Sequence, residues 1–147
     1  MDKINCILLI DDDEAINFLH NDIIEEMDMA EHVYTALNGQ EGLDFLTGKG
    51  KFSPINGKKY PRPNIIFLDI NMPLVNGYEF LEKYKLLPDE LTADIVVMFV
   101  TTSNNESDKD VVSREKVVQQ FISKPLSIDI LENIHLEYSN KFQMSSS

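Results

Sequence analysis

The stretch Ile65-Ile66-Phe67-Leu68-Asp69-Ile70-Asn71-Met72-Pro73 decides how the rest of the chain is read. Four consecutive apolar residues with no polar alternation predict a strand buried on both faces, as in a parallel sheet. The run ends at Asp69, and Pro73 forbids simple continuation as strand or helix. A carboxylate at the carboxyl end of a buried strand stands where open α/β sheets place their ligands. Taken alone, Asp69 reads first as a residue capping a loop, because Asp is common in turns. The other strand ends change that reading.

Working outward, Ile4 to Ile10 is a second apolar strand, and it runs into Asp11-Asp12-Asp13-Glu14. A helix follows, with Ile16, Leu19, Ile23 and Met27 spaced along one face. His32 to Leu37 is a weaker strand, Asn38-Gly39 a turn, and Gly39 to Thr47 a short helix burying Leu43 and Leu46. After the central strand, Asn76 and Glu79 have the spacing of a capping box. The helix they open buries Phe80, Leu81, Tyr84 and Leu87 and stops at Pro88. Ile95 to Val100 is the most apolar run and ends in Thr101-Thr102-Ser103. Ser103 and Glu106 start a helix predicted to reach Val118. Gln119 to Ser123 is a short strand ending at Lys124-Pro125. From Ser127 a last helix turns Ile128, Leu131, Ile134 and Tyr138 inward. The tail from Gln143 to Ser147 is expected to be disordered.

Five β-then-α units predict an α/β fold, a parallel sheet with five helices covering both faces. The 147 residues suffice for one domain, placed at 1–142. Residues 48–63 interrupt the rhythm with Lys49, Lys51, Lys58, Lys59 and Arg62 and no acid, a basic loop insertion. It reads as a solvated insertion ahead of a docking surface.

The formal charge of −12 argues against nucleic acid or an anionic membrane as partner. The single cysteine, Cys6, cannot form an internal disulfide and is expected to be a small buried apolar group. The first residues lack the length of a secretory signal, and no apolar run approaches the roughly 20 residues that span a bilayer. A cytoplasmic location is the expectation.

In a parallel sheet all carboxyl ends share one edge. That edge collects Asp11 and Asp12, Asp69, Thr101 and Lys124. Clustered carboxylates repel, and a proton or a cation must relieve them. Oxygen ligands with no His or Cys select a hard ion such as Mg²⁺, which favours carboxylates together with phosphate oxygens. Lys124 then meets a phosphate oxygen as a point charge. Asp69, between the two, is the candidate nucleophile that forms an aspartyl phosphate, and the Thr101 hydroxyl can donate to it. Asp12-Asp13 is an alternative register for the acidic pair. Asp11-Asp12 is preferred because it directly follows the strand and leaves Asp13 to cap the helix. Thr102 and Ser103 compete with Thr101 for the hydroxyl role.

The set Asp11/Asp12, Asp69, Thr101 and Lys124-Pro125 on this chain resembles the receiver domain of two-component response regulators. The fragments Leu-Leu-Ile-Asp-Asp-Asp, Leu-Asp-Ile-Asn-Met-Pro-Leu-Val-Asn-Gly, Val-Thr-Thr-Ser and Phe-Ile-Ser-Lys-Pro carry the resemblance over nearly the whole length. It implies a flavodoxin-like strand order 2-1-3-4-5 and Mg²⁺-dependent transfer from the phosphohistidine of a sensor histidine kinase to Asp69, followed by slow self-dephosphorylation. By the same resemblance Asp12 and Asp69 bind the metal directly, Asp11 acts mostly through water, and Asn71 offers its backbone carbonyl. Phe121 becomes a switch aromatic, although spacing alone makes it ordinary core, and the bond before Pro125 is implied to be cis. The protein would be a phosphorelay signalling component rather than an enzyme. It would act on a downstream target or phosphotransfer protein, with homodimerisation through the fourth helix, fifth strand and fifth helix. The insertion looks like that of small regulators serving phytochrome-type and related kinases.

Two other classes compete. A haloacid-dehalogenase-type phosphatase would use Asp11 and Asp13, but it needs small residues after the second Asp, where Glu14-Ala15 stand, and it leaves Asp69 and Thr101 unexplained. A pseudo-receiver that only binds partners is disfavoured by the complete acidic, Thr and Lys set. His20, His32 and His135 lie apart, without kinase motifs around them.

Overall fold

In the computed structural model the described residues are 3–54, 59–70, 72, 74–100 and 117–143. The order is β1 (Ile4–Ile10), α1 (Glu14–Met27), β2 (Ala30–Ala36), α2 (Gly39–Thr47), β3 (Ile65–Leu68), α3 (Gly77–Tyr84), β4 (Ile95–Val100), β5 (Val118–Ser123) and α4 (Ile128–Tyr138). The strands form one parallel sheet in the order β2-β1-β3-β4-β5. The fold is thus the flavodoxin-like one expected, with four α-helices among the described residues. The helix expected at 103–118 falls almost wholly outside them, as does the tail beyond Gln143.

Alternation along the central strands divides the core into two layers. Leu8, Ile10, Ile66, Leu68, Val96 and Met98 face Leu43, Leu46, Phe80, Leu81 and Tyr84 of α2 and α3. Ile7, Leu9, Ile65, Phe67, Val97 and Phe99 face Ile24 of α1 and Leu131, Ile134 and Tyr138 of α4. β1 and β3 are buried on both sides, which is why their sequences read as unbroken apolar runs.

The element ends follow local chemistry. Asp13 caps α1 by accepting from the Ala15 and Ile16 N–H groups at 2.9 and 3.2 Å. Asn76 and Glu79 form a reciprocal capping box at α3. At the amino edge of the sheet, the Asn64 side chain accepts from the Cys6 N–H at 3.0 Å and donates to Asp94 at 3.1 Å. Asp94 also receives the Tyr138 hydroxyl at 2.7 Å and pairs with Arg62 at 3.1 Å. Cys6 is buried and free, and burial pushes its thiol up to about 12. Among the described residues no helix is long and apolar enough to cross a membrane.

Four expectations need correction. The inward face of α1 is Asn17, His20 and Ile24, while Leu19 is exposed. The apolar stripe misplaced it because the Asn17 amide donates to the Asp11 carbonyl and the His20 Nε2 accepts the Leu126 N–H, bonds that offset the burial of both side chains. Ile128, in the first turn of α4, is 50% exposed rather than inward. α3 ends at Tyr84, and Leu87 packs only partly from the turn beyond it. The insertion is not simply solvated where described. Phe52 is buried, and Tyr60 packs on Tyr34, Phe45 and Phe52 at centroid distances of 5.1, 5.4 and 5.2 Å. Lys51 also pairs with Glu41 at 3.0 Å.

Gly77 sets how closely α3 approaches the end of β3. A Cβ there would lie 2.6 Å from the Asp69 carbonyl oxygen and 2.8 Å from the Ile70 Cα, both backbone atoms that cannot move aside cheaply. Gly77→Ala is therefore expected to lower stability by about 1–3 kcal/mol, as overpacking does. Urea unfolding should show a lower midpoint at unchanged slope, and an unchanged midpoint would refute the close approach.

Candidate functional site

The site arises where the strand order reverses. From β1 the chain moves to one side to form β2 and then crosses back to β3 on the other, opening a crevice at the carboxyl ends of β1 and β3. Two backbone bonds carry the sheet into it: Asp11 N–H donates to the Ala36 carbonyl at 3.0 Å and Asp69 N–H to the Ile10 carbonyl at 2.9 Å. Both carboxylates are thus fixed to the rigid sheet rather than to loops. Asp11 is 1% and Asp69 6% exposed, while Asp12, one step further from the strand, is exposed.

Carboxylate oxygens of Asp11, Asp12 and Asp69 lie within 4.8 Å of one another. Asp13 is not in this group, because its side chain is used at the helix cap. Lys124, following β5, places its ammonium 2.7 Å from Asp11 Oδ2 and 3.1 Å from Asp69 Oδ1. The same ammonium stands 5.7 Å from the centre of the Phe99 ring. The Lys124–Pro125 peptide is cis. Asp11 Oδ1 accepts from the Asp13 N–H at 3.0 Å, and its carbonyl accepts from the Asn17 amide at 2.9 Å.

One cation thus faces three carboxylates. Burial pushes the Asp69 carboxyl above its ordinary value, the Asp11 charge adds to this, and Lys124 opposes it without prevailing. Burial pulls the Lys124 ammonium down, but its contacts with Asp11 and Asp69 outweigh burial and hold it above its usual value. Among the described residues, three carboxyl groups thus share a single ammonium. A donor set of carboxylate oxygens alone fits a hard divalent cation.

Asn71 and Thr101 lie outside the described residues. Phe121, on β5, is 37% exposed, so the reading of it as ordinary core is corrected. The sequence reading missed His20. It is 1% exposed, stacks on Phe99 at 5.3 Å and accepts the Leu126 N–H on Nε2 at 3.1 Å. Its signal was available as the Asp13, Asn17, His20, Ile24 spacing, a helical face that counting apolar residues alone passes over.

The response regulator receiver domain family matches residues 7–135. Response regulator Rcp1 of Synechocystis sp. is 31% identical over 118 residues, covering 80% of this chain and 75% of Rcp1. The Mn²⁺-bound form of response regulator Rcp1 superposes with a TM-score of 0.64 at 27% identity, covering 94% of each chain. A two-component response regulator from Cytophaga hutchinsonii gives a TM-score of 0.76 at 27% identity, over 95% of this chain and 99% of the other. The bacteriophytochrome response regulator AtBRR gives 0.72 at 29% identity, over 95% of each. Longer proteins match as well: the chain spans 38% of a protein-glutamate methylesterase/protein-glutamine glutaminase of Clostridium acetobutylicum, at 28% identity and with 95% of this chain covered.

Because the Asp69 carboxyl titrates higher in the folded protein than in the unfolded chain, its stabilising contribution is complete below the unfolded value. It is lost as pH rises through the folded one. Ionisation of Asp69 in the folded protein is therefore a net liability. Asp69→Asn is thus expected to raise the Tm in the absence of divalent cations, by about 2–4 °C for each kcal/mol relieved. A fall in Tm would show that the Lys124 contact dominates instead.

Proposed function

The chain belongs to the response regulator receiver domain family, and from this premise we propose that it accepts a phosphoryl group on Asp69 in a Mg²⁺-dependent reaction within a phosphorelay. The observation that carries the proposal is Asp69 at the end of β3, 3.1 Å from the Lys124 ammonium and grouped with Asp11 and Asp12. An Asp69 oxygen attacks phosphorus, a P–O bond forms, and the bond from phosphorus to the donor's imidazole nitrogen breaks. The donor histidine leaves with its electron pair. Asp69 is rigidly held, so little reorganisation is needed to present it. Lys124 balances charge on the transferred group from the side of β5.

Asp11, Asp12 and Asp69 would hold the metal, with Asn71 as a further candidate through its carbonyl. When bound, Mg²⁺ would neutralise the carboxylates and the oxygens of the incoming group. Thr101 is the proposed hydroxyl contact, and Phe121 the aromatic whose position reports the state of the site. At 37% exposure on β5, Phe121 has a face open to solvent, which leaves it room to change position.

The proposed donor is a sensor histidine kinase, and the likeness to AtBRR supports one of the phytochrome type. Residues 1–142 are proposed as the receiver unit. It would signal through protein contacts, to a downstream target or phosphotransfer protein, or as a homodimer through the 103–118 segment, β5 and α4. Ile128 and Leu136 of α4 are exposed apolar residues there.

Intact mass after incubation with acetyl phosphate tests this directly. The expected result is a gain of one base-labile phosphoryl group that needs Mg²⁺ and disappears in Asp69→Asn. No gain in the wild type, or an undiminished gain in the variant, would remove Asp69 as acceptor.

A further inference from the structure

Lys124 can act on Asp69 only if the turn that carries it is held in place, and its two ends are held very differently. On one side, β5 fixes the chain through pairing of Ser123 with Val100. On the other, Pro125 has no N–H to contribute, so the first backbone donor after Lys124 is Leu126. That N–H meets no strand. Its partner is the Nε2 of His20 at 3.1 Å, on α1 and 106 residues away in sequence.

The His20 ring is suited to this one task. It is enclosed, stacked on Phe99 with planes inclined at 29°, and it stands beside the side chain over which the Lys124 ammonium lies. Enclosure holds its basicity down to about 4, so near neutral pH the ring is uncharged and Nε2 keeps the lone pair that accepts the bond. The direction of the bond places the ring proton on Nδ1. The Leu126 side chain is itself buried, so its N–H has no recourse to water if the imidazole is removed.

We propose that His20 is a positioning residue for phosphoryl transfer, latching the Leu126 N–H so that the Lys124 ammonium stays within reach of Asp69. His20 touches neither the reacting oxygen nor the incoming group and works through Lys124 alone. The inference rests on the phosphoacceptor reading of Asp69 and extends it to α1. The same helix therefore governs two sides of the site: its amino end presents the Asp11–Asp13 turn, and its middle fixes the lysine opposite.

The test compares the rate of phosphoryl uptake from acetyl phosphate, with Mg²⁺, in the wild type, His20→Phe and His20→Gln. The phenylalanine fills the space without an acceptor, whereas the glutamine oxygen can reach the Leu126 N–H. The expected result is an uptake slowed in His20→Phe by about tenfold, within the roughly hundredfold that a 1 Å misplacement can cost, with most of the rate kept in His20→Gln. The donor concentration for half-maximal rate should change little, because donor binding is not what His20 supports. Hydrogen exchange should quicken at the Leu126 amide in His20→Phe. His20→Asn, whose amide stops short of that N–H, replaces the phenylalanine variant if the latter does not fold.

The deciding arm is a double-mutant cycle. In a Lys124→Ala background, removing the His20 acceptor should cost no further rate. An equal loss in both backgrounds, or a wild-type rate in His20→Phe, would overturn the positioning role while leaving Asp69 as acceptor. A wild type that takes up no phosphoryl group would instead remove the phosphoacceptor reading, and this inference with it.

Discussion

The Lys124 ammonium wedged between Asp11 and Asp69 is the interaction on which this molecule turns. Both carboxylates are almost wholly removed from water, and burying an anion is costly unless a partner stands close. One cation cannot compensate two buried anions and the exposed Asp12 beside them. The sheet supplies the rigidity that keeps this arrangement from relaxing. β1 and β3 hold their aspartates through ladder bonds that run to the last residue, and the tightly packed core beneath leaves no route for either to retreat. A site kept short of positive charge is one that a divalent cation relieves, and the same cation would then balance the anionic oxygens of an incoming phosphoryl group. The chemistry proposed for Asp69 is thus written in the electrostatics of the fold itself.

Much of this could be read from the chain itself, for reasons tied to particular residues. Doubly buried parallel strands must be apolar throughout, so Ile65–Leu68 and Ile95–Val100 stood out as runs, and the polar residues that end them fell on one edge by topology. The joint presence of Asp11, Asp69 and Lys124 at that edge follows from the same regularity, whereas the strand order was implied by the family resemblance. Asp13 was identifiable as a cap because side-chain capping is local chemistry.

The misreadings share a cause. Asn17 and His20 are polar residues buried with bonds to backbone groups, the nearby Asp11 carbonyl and the distant Leu126 N–H, and hydrophobic periodicity carries no information about such partners. Leu19 was accordingly turned inward and His20 overlooked. The insertion looked solvated because its lysines dominate its composition, whereas Phe52 and Tyr60 find Tyr34 and Phe45 only in three dimensions. Phe121 shows the converse: an aromatic in a half-polar strand at the sheet margin, left partly uncovered.

The polar knot at the far edge of the sheet has its own consequence. Asn64, Asp94, Tyr138 and Arg62 satisfy one another and tie the start of β3 to β1, to the approach to β4 and to the end of α4. The molecule is therefore polarised like a cantilever, clamped at the amino ends of its strands and loaded at their carboxyl ends. A change of charge at the loaded end has no compliant neighbour at the clamped one. The proposed charge change would then displace the loops and helix termini around the aspartates ahead of the anchored end, which serves as the reference for such a displacement.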